Sequence, residues 1–107
     1  MKVLDGLQIR DTNPHNSAVR EYPRYLKVDR CTVIFKNGLD KDVSLQVQGS
    51  VDKDFTVPVD IGNAIVAPAN MTKGDYEWFM AYFPYVRVVA TCSEAPTSGA
   101  LDVWIEP

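Results

Sequence analysis

The chain repeatedly alternates its side chains with a period of two, and turn-forming residues close each run. Cys31, Val33 and Phe35 alternate with Thr32, Ile34 and Lys36. Val43, Leu45 and Val47 alternate with Ser44, Gln46 and Gln48. Val86, Val88, Ala90 and Cys92 alternate with Tyr85, Arg87, Val89 and Thr91. Leu101, Val103 and Ile105 alternate with Asp102, Trp104 and Glu106. Successive side chains of an extended strand point to opposite faces, so this period predicts half-buried β-strands. Each run offers one apolar face that a single hairpin cannot bury. Packing one sheet on another is the simplest solution.

The connections carry their own signals. Asn37-Gly38 tolerates positive φ, and Asp40 and Asp42 keep the connection polar, which predicts an antiparallel hairpin of 27–37 with 42–49. SEAPTSG predicts a turn between 85–92 and 100–106, a second hairpin. In FTVPVDI, Pro58 cannot donate to a ladder, so 55–61 reads as an edge or bulged strand. AIVAP reads as a short strand ended by Pro68. Tyr76, Trp78, Phe79, Tyr82, Phe83 and Tyr85 crowd the stretch around DYEWFMAYFPY. A helix would align Tyr76, Phe79, Met80 and Phe83. Aromatic content and length favour a strand that bends at Pro84.

A length of 107 residues sets one domain as the prior and is enough to bury a core without metals. A net charge of −3, with no run of Lys and Arg, argues against nucleic-acid binding. MKVLDGLQIR is interrupted by Asp5 and Arg10, so no signal-peptide core is expected, and no apolar run reaches membrane-span length. Cys31 and Cys92 form no CxxC motif. They read as two buried free thiols, with a single disulfide as the alternative. Residues 1–26 contain a weakly alternating stretch and then DTNPHNSAVREYPR, which is polar and carries two prolines. They read as an N-terminal arm or a weakly packed strand and loop. The expectation is therefore an all-β antiparallel sandwich over 27–107, jelly-roll-like, with an extended arm over 1–26.

Three segments carry a resemblance. "IFKNGLDKDVSLQVQGSVDKDF" (34–55), the shorter "AIVAP", and "YFPYVRVVATCSEAPTSGALDVWIEP" (82–107) together resemble small β-sandwich virion modules of tailed phages and prophages. Such modules serve as capsid decoration, tail or fibre-associated proteins. The resemblance spans residues 27–107 and not 1–26. It departs from the pattern after the "GS-x-D" turn, where Asp52-Lys53-Asp54 stands in place of a frequent Gly. It implies no catalytic residue and no cofactor. It implies a non-enzymatic structural protein of a phage or phage-like particle, a capsid decoration or minor virion component. Its partners would be its own copies, as a homo-oligomer, and other virion proteins, and its location the virion after synthesis in the host cytoplasm.

Residue by residue, the chemistry is sparse. His15 is the sole histidine and lies in a polar loop, with no partner at triad-like spacing. Asp40 and Asp42, like Asp52 and Asp54, could offer oxygens to calcium, but each pair encloses a Lys, and hydrogen bonding within turns explains them better. No nucleophile–base pair is visible. The candidate interface residues are Tyr22, Tyr25, Trp78, Phe79, Arg87 and Trp104. Trp104 faces outward on the last strand, where the N-terminal segment or another copy would cover it. Arg87 would pair with a carboxylate on a neighbouring strand or stack on Tyr85 or Trp104. The alternative function is a carbohydrate- or receptor-binding module, with Tyr76, Trp78 and Tyr82 beside Asp75 and Glu77 as the sugar platform.

Overall fold

The computed structural model describes residues 1–22, 30–80 and 82–107. Tyr25 and the first residues of the strand read from 27 lie outside them. Along the chain the strands are β1 (Lys2–Leu7), β2 (His15–Asn16), β3 (Arg20–Glu21), β4 (Cys31–Asn37), β5 (Val43–Ser50), β6 (Val59–Asp60), β7 (Ile65–Ala67), β8 (Asp75–Phe79), β9 (Tyr85–Thr91) and β10 (Leu101–Glu106). One sheet has the order β1-β10-β4-β8. The other has the order β2-β9-β5-β6, with β3 also on β9 and β7 also on β5. Every ladder is antiparallel. If β2 with β3 and β6 with β7 are each taken as one interrupted strand, this is the strand order of a jelly roll, two four-stranded sheets face to face.

The alternation read from the sequence sets the core. Cys31, Val33, Phe35, Val43, Leu45, Val47, Val86, Val88, Ala90, Leu101, Val103 and Ile105 are all buried. Their inward faces meet between the sheets, and each fully buried Val, Leu or Ile contributes about 1.5–3 kcal/mol relative to exposure. Cys31 and Cys92 are buried and unpaired.

The strand pairing differs from the expected hairpins. β4 belongs to one sheet and β5 to the other, and the same holds for β9 and β10. Both turns are arches that carry the chain across the sandwich. β5 instead pairs with β9, through Val47↔Val88 and its neighbours, and β10 pairs with β4, through Val103↔Phe35. The reason lies in the arch residues. Asn37 is fully buried, and neither it nor Gly38 has a positive φ. The Asn37 side-chain amide donates to the carbonyls of Lys41 (3.0 Å), Ala67 (3.1 Å) and Pro68 (3.0 Å), and its Oδ1 accepts from Leu39 N–H (3.0 Å). The side chain that suggested a tight turn is a hub binding the arch to the strand end at Ala67. Gly38 N–H donates to the Ala100 carbonyl (2.9 Å) and Asp40 N–H to Ser98 (3.2 Å), so the two arches are clasped to each other.

The described part of the N-terminal segment is not a loose arm. β1 forms the sheet edge on β10, with Val3, Leu4 and Ile9 buried, and β2 and β3 both lie on β9. Ser17 spans the gap between β2 and β3: its N–H donates to the Val88 carbonyl, and its hydroxyl accepts from Val88 N–H, both at 2.8 Å. His15 thus sits in a short strand and not in a free loop. Residues 17–19 interrupt this strand without detaching it, because Ser17 bonds Val88 through both its backbone N–H and its hydroxyl.

Candidate functional site

β8 is the outermost strand of its sheet, and among the described residues it pairs only with β4, as Cys31↔Phe79, Thr32↔Trp78, Val33↔Glu77, Ile34↔Tyr76 and Phe35↔Asp75. That register assigns its faces. Asp75, Glu77 and Phe79 continue the inward face of Phe35, Val33 and Cys31. Tyr76 and Trp78 continue the outward face. Phe79 is 8% exposed and closes the core, whereas Tyr76 is 64% and Trp78 55% exposed. The crowded aromatic stretch therefore divides residue by residue: Phe79 is a core residue, and Trp78 is surface. Tyr82, just beyond, is 76% exposed.

The outward row extends across the sheet. Lys2 lies opposite Trp104, Trp104 opposite Ile34, and Ile34 opposite Tyr76. Cations sit on both indoles: Lys2 Nζ is 4.8 Å from the Trp104 ring centroid, and the Arg30 guanidinium is 4.7 Å from that of Trp78. Lys2 is anchored in turn by Asp5 (2.9 Å) and Asp102 (3.1 Å). Those hydrogen bonds, Asp5 first, raise its pKa above the ordinary lysine value. The N-terminal segment does cover Trp104, but through Lys2 of β1 and not through Tyr22.

On the inward side of β8 the sandwich is open. A cleft of about 640 Å³ runs between the β8 edge and the β6–β7 edge. Its floor includes Val33, Val47, Ile65 and Phe79, and Glu77, Trp78 and Tyr82 stand along β8 and its continuation. Among the described residues, Glu77 is the one ionisable side chain lining the cleft, apart from the Tyr82 phenol. The sequence singled out the aromatic residues but not this cleft. Its far wall comes from residues 61–66, and no local pattern announces that this segment faces β8.

Tyr22 and Arg87 are engaged by the fold's own residues. Tyr22 is buried. Its hydroxyl donates to the Pro107 carbonyl (2.9 Å), Arg20 lies 5.2 Å from its ring, and burial pushes its pKa well up. Among the described residues, Arg87 pairs with no carboxylate and stacks on neither Tyr85 nor Trp104. Its guanidinium is 4.2 Å from the Phe55 ring centroid, and its Nε and terminal nitrogen donate to Gln48 Oε1 at 3.1 and 3.0 Å. Gln48 faces Arg87 directly in the β5–β9 register, so an amide fills the place expected for an acid. Tyr25 lies outside the described residues.

Of the acidic pairs, Asp52 locks its own turn, and Asp40 and Asp42 tie their connection to segments distant in sequence. Asp40 accepts from Thr97 N–H (2.9 Å) and from the Thr97 hydroxyl, and these bonds hold its pKa below the usual carboxylate value. Asp52 accepts from the Thr56 hydroxyl (2.7 Å), the Ser50 hydroxyl (2.9 Å) and Thr56 N–H (3.2 Å), and its pKa is lowered by the same bonds, Thr56 first. Asp42 accepts from Ala69 N–H (2.9 Å). His15 Nε2 lies 2.7 Å from Asp11 Oδ1, a contact that lowers the Asp11 pKa. Burial raises the pKa of both thiols. Among the described residues, no cluster of three or more His, Cys, Asp or Glu is placed to hold a metal. What the arrangement of the described residues offers chemically is a contact surface: a strand edge with no partner among them, an aromatic outer row and an apolar cleft with a carboxylate in its lining.

No family model and no curated protein matches the chain. Among solved structures the fold is similar to that of the PBSX exported protein XepA, with a TM-score of 0.74 and 11% sequence identity. The similarity covers 99% of this chain and 36% of that one, so the chain spans about a third of the length of its structural neighbour. At that identity the likeness is one of fold: the whole described sandwich has a counterpart in a larger protein.

Proposed function

We propose that the protein is a non-enzymatic structural component of a phage or phage-like particle, a capsid decoration or minor virion component that works through contacts with its own copies and with other virion proteins. The observation that carries this reading is the exposed strand β8 with its aromatic residues, on a sandwich where Tyr22, Arg87 and Trp104 are engaged by contacts within the chain. Patches of exposed aromatic surface mark interaction sites, and Tyr and Trp suit them because one end is apolar and the other tolerates water. The resemblance of residues 34–55 and 82–107 to virion modules supports the particle context. So does the fold shared with the PBSX exported protein XepA. The structural roles of Asp40, Asp42 and Asp52 support a protein without a reaction of its own. The location that follows is the assembled particle, after synthesis in the host cytoplasm.

The genes on either side test the context. Capsid, portal or tail genes are the expected neighbours, and a metabolic operon would overturn the reading. The direct test is sedimentation of tagged protein with purified particles, where co-sedimentation lost on Trp78→Ala is the expected result.

A second reading, a carbohydrate- or receptor-binding module, is favoured by Tyr76, Trp78 and Tyr82 standing exposed beside Glu77. It predicts sugar-induced quenching of Trp78 fluorescence. A glycan array without hits, together with concentration-dependent oligomers in light scattering, would eliminate it.

A further inference from the structure

Among the described residues no strand pairs with the outer edge of β8, and beside that edge lies an apolar cleft. An unpaired edge carries a row of free N–H and C=O groups and is a template for an added strand. A strand added there would send every second side chain inward, into the space bounded by Val47, Ile65 and Phe79. The other side chains would lie beside Tyr76 and Trp78. Edge and cleft are thus complementary parts of one site: the first supplies main-chain hydrogen bonds, the second side-chain pockets.

Glu77 decides what enters. It holds an inward-phase position, opposite Val33, on an edge strand. An inward charge at an edge is a known guard against indiscriminate pairing. An apolar strand laid over it would strip water from a carboxylate without replacing its partners, which is strongly unfavourable. A second copy pairing β8 with β8 antiparallel about Tyr76 would set Asp75 against Glu77, and about Glu77 would set that carboxylate against its copy, and like charges facing each other across strands are destabilising. A strand with Lys or Arg opposite Glu77 satisfies the charge instead. The outward side is also receptive to cations, as the Arg30 guanidinium over Trp78 shows.

We propose that β8 is the receiving strand for an extended segment of a partner protein. That segment adds to this sheet edge, places apolar side chains in the cleft, and sets a Lys or Arg against Glu77. The recognition is independent of whether the partner belongs to a particle. Loss of co-sedimentation with particles and loss of segment binding are therefore separate outcomes.

The test uses the capped peptide Thr-Val-Thr-Lys-Thr-Val-Thr as probe, with the full chain. Binding is followed by Trp78 fluorescence in a Trp104→Phe background and by amide shifts of residues 75–79. Saturable binding below about 1 mM is expected. Replacing the peptide Lys by Glu should weaken it at least about tenfold, and Glu77→Lys should invert that preference. N-methylation of the peptide backbone at the edge-facing amides should abolish binding, while N-methylation in the opposite phase should leave it. Equal binding of the Lys and Glu peptides, indifference to both N-methylation patterns, or shifts outside β8 and the cleft would overturn the proposal. Absence of binding together with self-association that Trp78→Ala abolishes would also overturn it and assign the edge to a second copy.

Discussion

Gly38 and Gly99 stand back to back where the two inter-sheet arches meet. A Cβ on Gly99 would fall within the Gly38 carbonyl and 2.9 Å from Leu39 Cα, and one on Gly38 would lie 2.7 Å from the Ala100 carbonyl oxygen. Gly99 also has φ +87°, a region that L side chains rarely adopt. The contact lets the β4–β5 and β9–β10 connections share hydrogen bonds, and that sharing makes them arches.

Gly99→Ala is therefore expected to destabilise the protein by at least about 2 kcal/mol, with the thermal midpoint falling by roughly 10 °C or more. Gly62→Ala is the control. Gly62 also has a positive φ (+67°), but nothing lies within 4 Å of its would-be Cβ. Its loss should stay near 1 kcal/mol, the conformational penalty alone. Equal midpoints for the two variants would contradict the clasp.

Asn37→Ala removes a buried amide and orphans the Leu39 N–H and the Ala67 carbonyl. Each buried group left without a partner costs about 1–3 kcal/mol, so a loss of at least about 2 kcal/mol is expected in urea unfolding. Asn37→Asp should do no better, because it keeps the acceptor and loses the donors. A simple tight turn would tolerate Asp at this position.

Stability should fall in acid. Asp40 and Asp52 have pKa values lowered from 3.8 by bonds to Thr97 and to Thr56 and Ser50. A carboxyl that loses its proton more readily when folded adds stability above its unfolded pKa, and that stability disappears as pH drops through the folded value. Melting temperature should be flat above about pH 5 and decline below pH 4 as the unfolded state takes up protons. Both residues are solvent-facing, so the decline should be shallow, and Asp40→Asn should reduce its slope. A slope unchanged in the double Asn variant would refute the assignment.

Arg87→Ala should lower thermal stability, because the guanidinium stacks on Phe55 and bonds Gln48. A loss of about 1–2 kcal/mol is expected, with only partial recovery by Lys, which lacks the planar fork. An unchanged melt combined with lost assembly would make Arg87 an interface residue after all.

Phe79 and Trp78 are adjacent in sequence and opposite in role. Phe79→Ala should cost about 3–5 kcal/mol, whereas Trp78→Ala should stay within about 0.5 kcal/mol. Denaturation midpoints of the two variants check this directly.

The sequence by itself determined which side chains face inward. Alternation is local, since a strand's period is two whatever it pairs with, and Val33, Leu45, Val88 and Val103 were legible for that reason. It also indicated a strand in the aromatic stretch before Pro84, of which the structure has Asp75–Phe79, and flagged Trp78. It did not determine pairing. A turn such as Asn37-Gly38 is equally compatible with a hairpin and with an arch, and the difference rests on distant groups: Ala67, Pro68 and Ala100 receiving its hydrogen bonds. Arg87 could not reveal that Gln48 and Phe55 would meet it, and polarity in residues 1–22 could not reveal that Ser17 would replace ladder bonds. The cleft beside β8 was likewise invisible, because its two walls come from different sheets. Tertiary structure alone decided these features, since each depends on contacts between residues far apart in the chain.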